Sequence, residues 1–354
     1  MVDGNRCRWM MRMRRRARCR RIVPSPLASL MPTSPPSTPR PSRDGSASMT
    51  IWLVGHGVVG RRIERLCAND RVMVHDPRRE PTPLATDGDV AVLAHPVRHA
   101  PLAAAFAARG CSVVTVGDHL QDTYDLVELG SEFAARGASL VIGAAVTPGL
   151  SGLLARWLST RFATVEEIHV AVHGTAGPAC ARVHHRSLSG TALSWVDGAW
   201  DESPGGSGRE LCWFPEPVGA HDCYRAEIAS PVLLHQSFPD AARITARRSA
   251  TRRDRGTARL PMLRPPHAEG GVGALRVEVR GVDGDGSRAT RIVGMAELLG
   301  TATAATAAAF VGAVLAGEVP PGVVLAGDAD LNTVAVLRRV EANGVRVQEF
   351  VGAS

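Results

Sequence analysis

The sequence predicts an α/β protein: a doubly wound parallel sheet joined to a second α+β domain whose mixed sheet is largely antiparallel. Three observations predict it. Apolar strands alternate with short helices from Thr50 to Gly143, the pattern of a parallel sheet with crossover helices. A glycine-rich turn, Gly55–Gly60, joins the first strand to the first helix. Beyond residue 160, long strand-like runs follow one another, with a hairpin signal between the last two.

In chain order, Thr50–Val54 reads as a buried strand and Val58–Ala68 as a helix with Val59, Ile63 and Leu66 on one face. Arg71–His75 and Val90–Ala94 are the next strands, the second after the turn signal Asp87-Gly88-Asp89. Pro101–Arg109 starts with proline and is followed by Gly110, as helices prefer. Cys111–Val116 is a strand, Tyr124–Arg136 a helix stopped by Gly137, and Ser139–Gly143 a strand. Glu166–His173, Ala241–Ser249, Gly273–Val282 and Arg288–Met295 are the later strands, with Asp283-Gly284-Asp285-Gly286 as the hairpin turn. Residues 202–209 and 251–271 read as loops rich in Arg, Gly and Pro. Glu297–Ala316 is long and almost uncharged. Its Ala and Thr content and lack of basic flanks favour a buried helix over a membrane span.

The domain organisation expected is an extension over 1–48, a nucleotide-binding domain over 49–150 and an inserted substrate domain over 151–296. Residues 297–354 then return to the first domain. The extension holds eleven Arg against Asp3 and Asp44, a net +9, followed by a Pro/Ser-rich stretch that cannot bury a core. The whole chain carries +7, so +7 − 9 leaves −2 for the rest, which argues against nucleic-acid binding by the folded part. Pro24 and Pro26 interrupt the apolar stretch that a secretion signal would need, whereas the composition suits an organellar transit peptide. The first strand begins directly after Met49, which favours that residue as the translation start over a membrane-anchored form.

The 41 basic side chains are all arginine, which removes Schiff-base chemistry and the lysine of a P-loop. Seven scattered cysteines include no C-x-x-C pair and no Cys/His cluster of metal-site spacing, so no metal is expected and a reduced, cytoplasmic compartment fits.

Gly55, Gly57 and Gly60 form G-x-G-x-x-G between a strand and an amphipathic helix, the context of a Rossmann dinucleotide turn. Gly55 would allow the tight turn, Gly57 the approach of a pyrophosphate and Gly60 close helix packing. The N–H groups near Val58 and Val59 would hold the phosphates. Asp76, ending the next strand, is placed to accept from a ribose hydroxyl and leans toward NAD. Arg78 and Arg79 keep a 2′-phosphate and NADP in play. His95, at the end of the third strand, lies where the adenosine side would close.

The stretch VVTVGDHLQDTYDLVELGSEFAARGASLVIGAAVTPGLSGLLARWL resembles the saccharopine dehydrogenase-like family. It has a strand ending in Gly-Asp, a helix, Arg-Gly, and a strand running into Gly143, Pro148 and Gly149. The resemblance runs from Met49 to the C-terminus. It implies an NAD(P)-binding Rossmann domain, an inserted mixed-sheet domain on the substrate side and a late helix returning to the first domain. It also implies carbon–nitrogen bond chemistry on an amino acid.

Two polar clusters fall in the inserted domain. His184, His185 and Arg186 follow a Gly/Pro loop on a predicted helix, and His221, Asp222, Tyr224 and Arg225 group further on. Hydride transfer needs a proton partner near neutral pH, which points to His185 and His221 with Asp222. Arg186, Arg225 and Tyr224 would bind a carboxylate substrate. The plain alternatives are a hydrogen-bonded core histidine and an Asp222–Arg225 ion pair. The function expected is an NAD(P)-dependent oxidoreductase acting on a small amino- or keto-acid-like molecule. The alternative is a non-catalytic dinucleotide sensor or scaffold. A small-molecule substrate, no nucleic acid, no membrane and a possible homo-oligomer complete the expectation.

Overall fold

The computed structural model describes residues 49–76, 78–79, 84–262 and 265–350. The extension over 1–48 lies outside the described residues. The first half runs β1 (Thr50–Val54), α1 (Val58–Leu66), β2 (Arg71–His75), β3 (Val90–Leu93), α2 (Ala100–Ala107) and β4 (Ser112–Thr115). It continues with α3 (Leu120–Glu128), α4 (Gly130–Ala135), β5 (Ser139–Ile142) and α5 (Leu150–Ser159). The second sheet is built from β6 (Thr164–His173), α6 (Pro178–Ser187), β7 (Thr191–Val196), β8 (Ala199–Pro204), β9 (Glu210–Trp213) and β10 (Ala220–Arg225). Next come α7 (Ser230–Ser237), β11 (Arg243–Ser249), α8 (Arg252–Thr257), β12 (Val272–Val282) and β13 (Arg288–Leu298). The chain closes with α9 (Leu299–Leu315), β14 (Gly322–Leu325), α10 (Thr333–Ala342) and β15 (Gln348–Glu349).

The parallel sheet has the order β14-β5-β4-β3-β1-β2. Strand β1 pairs with β2 on one side and β3 on the other, so the winding reverses between β1 and β3. Doubly wound sheets take their ligands at the carboxyl ends of the strands flanking such a reversal. β1, β3 and β5 are buried along their whole length, as strands covered on both faces must be. Beneath them the Asp89 carboxylate is buried and accepts from the backbone N–H groups of Thr50 (2.8 Å) and Thr86 (2.9 Å) and from Trp52 Nε1 (2.9 Å).

The second sheet has the order β15-β13-β12-β6-β11-β10-β9, with β7 and β8 branching from β11. Only β6 and β11 run parallel among its pairings. The hairpin β12–β13 turns at Asp283–Gly286, where Gly286 N donates to Asp283 O. Alternation gives it an apolar face, with Ile168, Val170, Val277 and Val279 in the main core. The opposite face is charged: Arg276 and Arg280 both pair with Glu278.

Helix α9 is apolar all round and lies in that same core, as an almost uncharged helix should. It starts two residues later than the sequence suggests, because Glu297 and Leu298 remain paired in β13. The single helix expected over Tyr124–Arg136 is two, α3 and α4. The interruption is the single residue Leu129, and at Gly130, which opens α4, a Cβ would come 3.0 Å from Val323 Cγ2 of β14, so β14 packs closely there. The loop expected over 251–271 contains α8, started by a capping box between Thr251 and Asp254. No helix among the described residues is long and apolar enough to cross a membrane.

Candidate functional site

The glycine turn occupies the reversal point of the parallel sheet. Gly55 has φ +100°, and a Cβ there would lie 2.7 Å from the carbonyl of Ala94. A Cβ on Gly60 would lie 1.9 Å from Gly55 O. Both positions are closed by backbone, which only glycine tolerates. Gly57 is the opposite case: a Cβ would meet nothing within 4 Å. No side chain caps the start of α1 and no acid occupies its first turn, so its free N–H groups face open space with a positive helix end behind them. That cradle fits a diphosphate. Asp76 follows β2, with its Oδ1 accepting from Arg78 N (3.0 Å) and its Oδ2 3.6 Å from Arg79 Nε. Its side chain is 49% exposed, so the carboxylate stays open to a further donor.

From Val59 and Ala94 a cavity of about 600 Å³ extends between the two sheets. The carboxyl ends of β3, β4 and β5 form one wall. The other is made by the end of β6, by Arg248 of β11 and by one stripe of α6, and the start of α9 closes it. Arg248 crosses this space to pair with Asp118, which follows β4. Arg98, at the rim, pairs with Asp122 and Asp125. Arg186 is exposed, lines the cavity and has no ion pair among the described residues. Glu227 lines the same corner and accepts from Thr191 N (3.2 Å).

Four imidazoles line the cavity. His184 donates from Nε2 to Ser249 O (2.9 Å), and burial followed by the charge of Arg248 pushes its pKa down to about 3. His99 donates from Nε2 to His95 O (3.0 Å), with burial again lowering its pKa. The ring of His95 lies 4.5 Å from that of His99, and burial with His99 lowers it to about 4. His119 is the N-cap of α3, its Nδ1 accepting from Asp122 N (3.4 Å).

Of the residues singled out from sequence, Val59, His95, His184 and Arg186 line this cavity. His185 does not: it is buried and points at Thr257 Oγ1 (3.1 Å). Helical geometry separates it from His184, since neighbours on a helix point about 100° apart, and Cys180, Val183, His184 and Ser187 take the inward stripe. His221, Asp222, Tyr224 and Arg225 lie on β10 and line none of it. Their alternation along a strand divides them between faces. His221 stacks on His173 with ring centroids 3.8 Å apart. Asp222 pairs with Arg209 rather than Arg225, three strand positions away on the other face. Buried Tyr224 lies under the Arg255 guanidinium, 4.2 Å from its ring centroid.

Sequence reasoning missed Asp118, His119, Glu227 and Arg248, and of the His184–His185 pair it favoured the one that turns away. For the first two a signal existed: they end a predicted parallel strand, where such sheets place their ligand-binding groups.

No family model matches the chain, and no curated protein matches it. Among solved structures, apo saccharopine dehydrogenase (L-Glu forming) from Saccharomyces cerevisiae is similar at 14% identity and a TM-score of 0.61, over 85% of this chain and 99% of that one. A meso-dapdh mutant with DAP from Clostridium tetani E88 matches at 15% identity and a TM-score of 0.44, over 81% of this chain and 96% of that one. A probable dehydrogenase from Thermotoga maritima matches at 11% and 0.41, over 85% and 99%. The yeast likeness, spanning nearly all of its partner, establishes the fold: a Rossmann domain joined to a second mixed sheet.

Proposed function

We propose that the protein is an NAD(P)-dependent oxidoreductase acting on a small amino- or keto-acid-like substrate held between the two sheets. The observation that carries this reading is the glycine turn. Gly55 and Gly60 are closed by backbone while the space over Gly57 is open, and the cavity begins beside it. The N–H groups of Val58 and Val59 would hold the diphosphate. Asp76 would take the adenosine ribose, which favours NAD, and Arg78 is the group that would admit NADP. Bound there, the dinucleotide supplies or accepts a hydride.

The lining favours Asp118, His184 and Arg248, with Arg186, as the side chains that meet the substrate, over His185, His221 and Asp222. Arg248 and Asp118 satisfy each other in the ligand-free cavity. A zwitterionic amino acid entering between them would give each a new opposite charge. Arg186, without an ionic partner among the described residues, is a cation open to a carboxylate. The name of the yeast neighbour, a saccharopine dehydrogenase, agrees with this class of substrate.

Parallel titrations with NADH and NADPH, followed by a metabolite screen for cofactor absorbance with the tighter binder, test the reading. Saturable binding of one dinucleotide and turnover of an amino or keto acid are expected. Binding of neither would end the proposal, and binding without turnover of any metabolite would leave only a sensor or scaffold.

A further inference from the structure

We propose that His119 presents its Nε2–H to the ligand's carbonyl or imine group as a hydrogen-bond donor of fixed tautomer, a role that rests on the oxidoreductase reading above. The chain has no lysine, and no tyrosine lines the cavity. With Arg248 engaged by Asp118, Arg98 by Asp122 and Asp125, and Arg186 assigned to the carboxylate, polarising a C=O or C=N bond there is left mainly to imidazole. A neutral imidazole carries one hydrogen, so each ring that gives it to the protein has none for a ligand.

His184 spends its hydrogen on Ser249 O and His99 spends its own on His95 O, since carbonyl oxygens only accept. Both rings turn a lone pair, not a donor, toward any other partner. His95 lies against the backbone carbonyls of Arg98 and Val54, and its Nδ1 is enclosed. His119 is wired the other way round. Its Nδ1 accepts the Asp122 backbone N–H, which places the ring hydrogen on Nε2. Nε2 has no partner among the described residues, and the residue is exposed on the cavity wall.

The backbone that carries the ring is also held in place. Thr123 Oγ1 and Thr123 N both bond to His119 O (3.1 and 3.0 Å), tying the residue into the first turn of α3. Its neighbour Asp118 is engaged by Arg248. A donor anchored in this way stabilises negative charge gathering on a carbonyl oxygen without having to reorient. The role is a hydrogen bond only; the proton that completes a reduction comes from solvent.

The test uses the full chain with ¹⁵N-labelled histidine, the His119 signals being those lost in His119→Asn. Long-range ¹⁵N–¹H spectra should show an Nε2–H ring with unprotonated Nδ1; the Nδ1–H tautomer would overturn the proposal with or without turnover. Asparagine caps helices as well as any residue, so His119→Asn should keep the thermal midpoint while His119→Ala lowers it by about 2–4 °C. Turnover is read with NADH or NADPH and pyruvate, glyoxylate or 2-oxoglutarate, each with ammonium. His119→Asn should lower kcat at least about tenfold with little change in KM. Undiminished kcat in that stable variant would overturn the donor role. Wild-type protein that binds neither dinucleotide would instead overturn the reading beneath it.

Discussion

Substituting alanine at Gly57 and, separately, at Gly60 should have opposite consequences, although the two glycines are three residues apart. At Gly60 the new methyl would stand 1.9 Å from Gly55 O and 2.9 Å from its carbonyl carbon. Both atoms are backbone, so no side chain can swing aside, and α1 must move off β1 by an ångström or more. Overpacking of this kind costs about 1–3 kcal/mol, and the upper end applies where the obstacle is rigid. For a domain of this size that lowers the thermal midpoint by roughly 4–10 °C. At Gly57 the backbone sits at φ −83° and ψ −155°, at the edge of the extended region and with negative φ, so alanine is tolerated there, and the methyl meets nothing within 4 Å. Stability should hold or rise by about 0.5 kcal/mol through the unfolded chain. The methyl would, however, occupy the space through which a diphosphate reaches the α1 N–H groups. NADH or NADPH affinity should fall at least about tenfold, or 1.4 kcal/mol. Thermal melts with and without dinucleotide, plus fluorescence titration, read both effects. Unchanged affinity in Gly57→Ala would refute the diphosphate cradle, and an unchanged melt in Gly60→Ala would refute the packing argument.

Two further predictions concern stability. Asp89→Ala strands the buried Trp52 indole N–H and the Thr50 N–H that its carboxylate receives; at about 1–3 kcal/mol for each unsatisfied donor, urea unfolding should show a loss of about 2–6 kcal/mol. The pH dependence follows from His184 and His95, held neutral with pKa values of about 3 and about 4 against about 6.5 in the unfolded chain. Above the unfolded value both states are neutral and stability is full; as pH falls toward the folded values the unfolded chain takes up protons the fold refuses. Stability should therefore decline between about pH 6.5 and pH 4, and His184→Asn should flatten the decline in urea midpoints. A wild-type midpoint constant from pH 7 to pH 5 would contradict the burial of these rings.

What could be read in advance was local. The Gly55–Gly60 turn and the Asp283–Gly286 hairpin each declare themselves within a few residues, because steric permission and turn chemistry act at that range. The run of helices and strands up to β5 was legible for the same reason, save at the interruption between α3 and α4, beside which Gly130 packs against a strand almost two hundred residues away in the sequence. The cavity was largely illegible. Asp118 and Arg248 meet across a separation of 130 residues, and nothing near either one announces the other. His184 and His185 are indistinguishable as letters; only the rotation of α6 against the second sheet assigns one to the cavity and the other to Thr257. The cluster from His221 to Arg225 is dense in sequence but divided in space, because a strand sends consecutive side chains to opposite faces.

The last strand of the parallel sheet has a consequence for how the protein is made. β14 pairs with β5 through Gly322↔Ser139 and Leu325↔Ile142, yet the ribosome must produce the whole second sheet and α9 between the two. At about 5–20 residues per second, the β5 edge waits on the order of ten seconds or more without its neighbour. During that interval Leu140 and Ile142, wholly buried in the finished protein, border an open ladder of backbone donors and acceptors. Nascent chains stalled before residue 322 should be the aggregation-prone species, and a chaperone that shields this edge would act early, before the parallel-sheet domain can close.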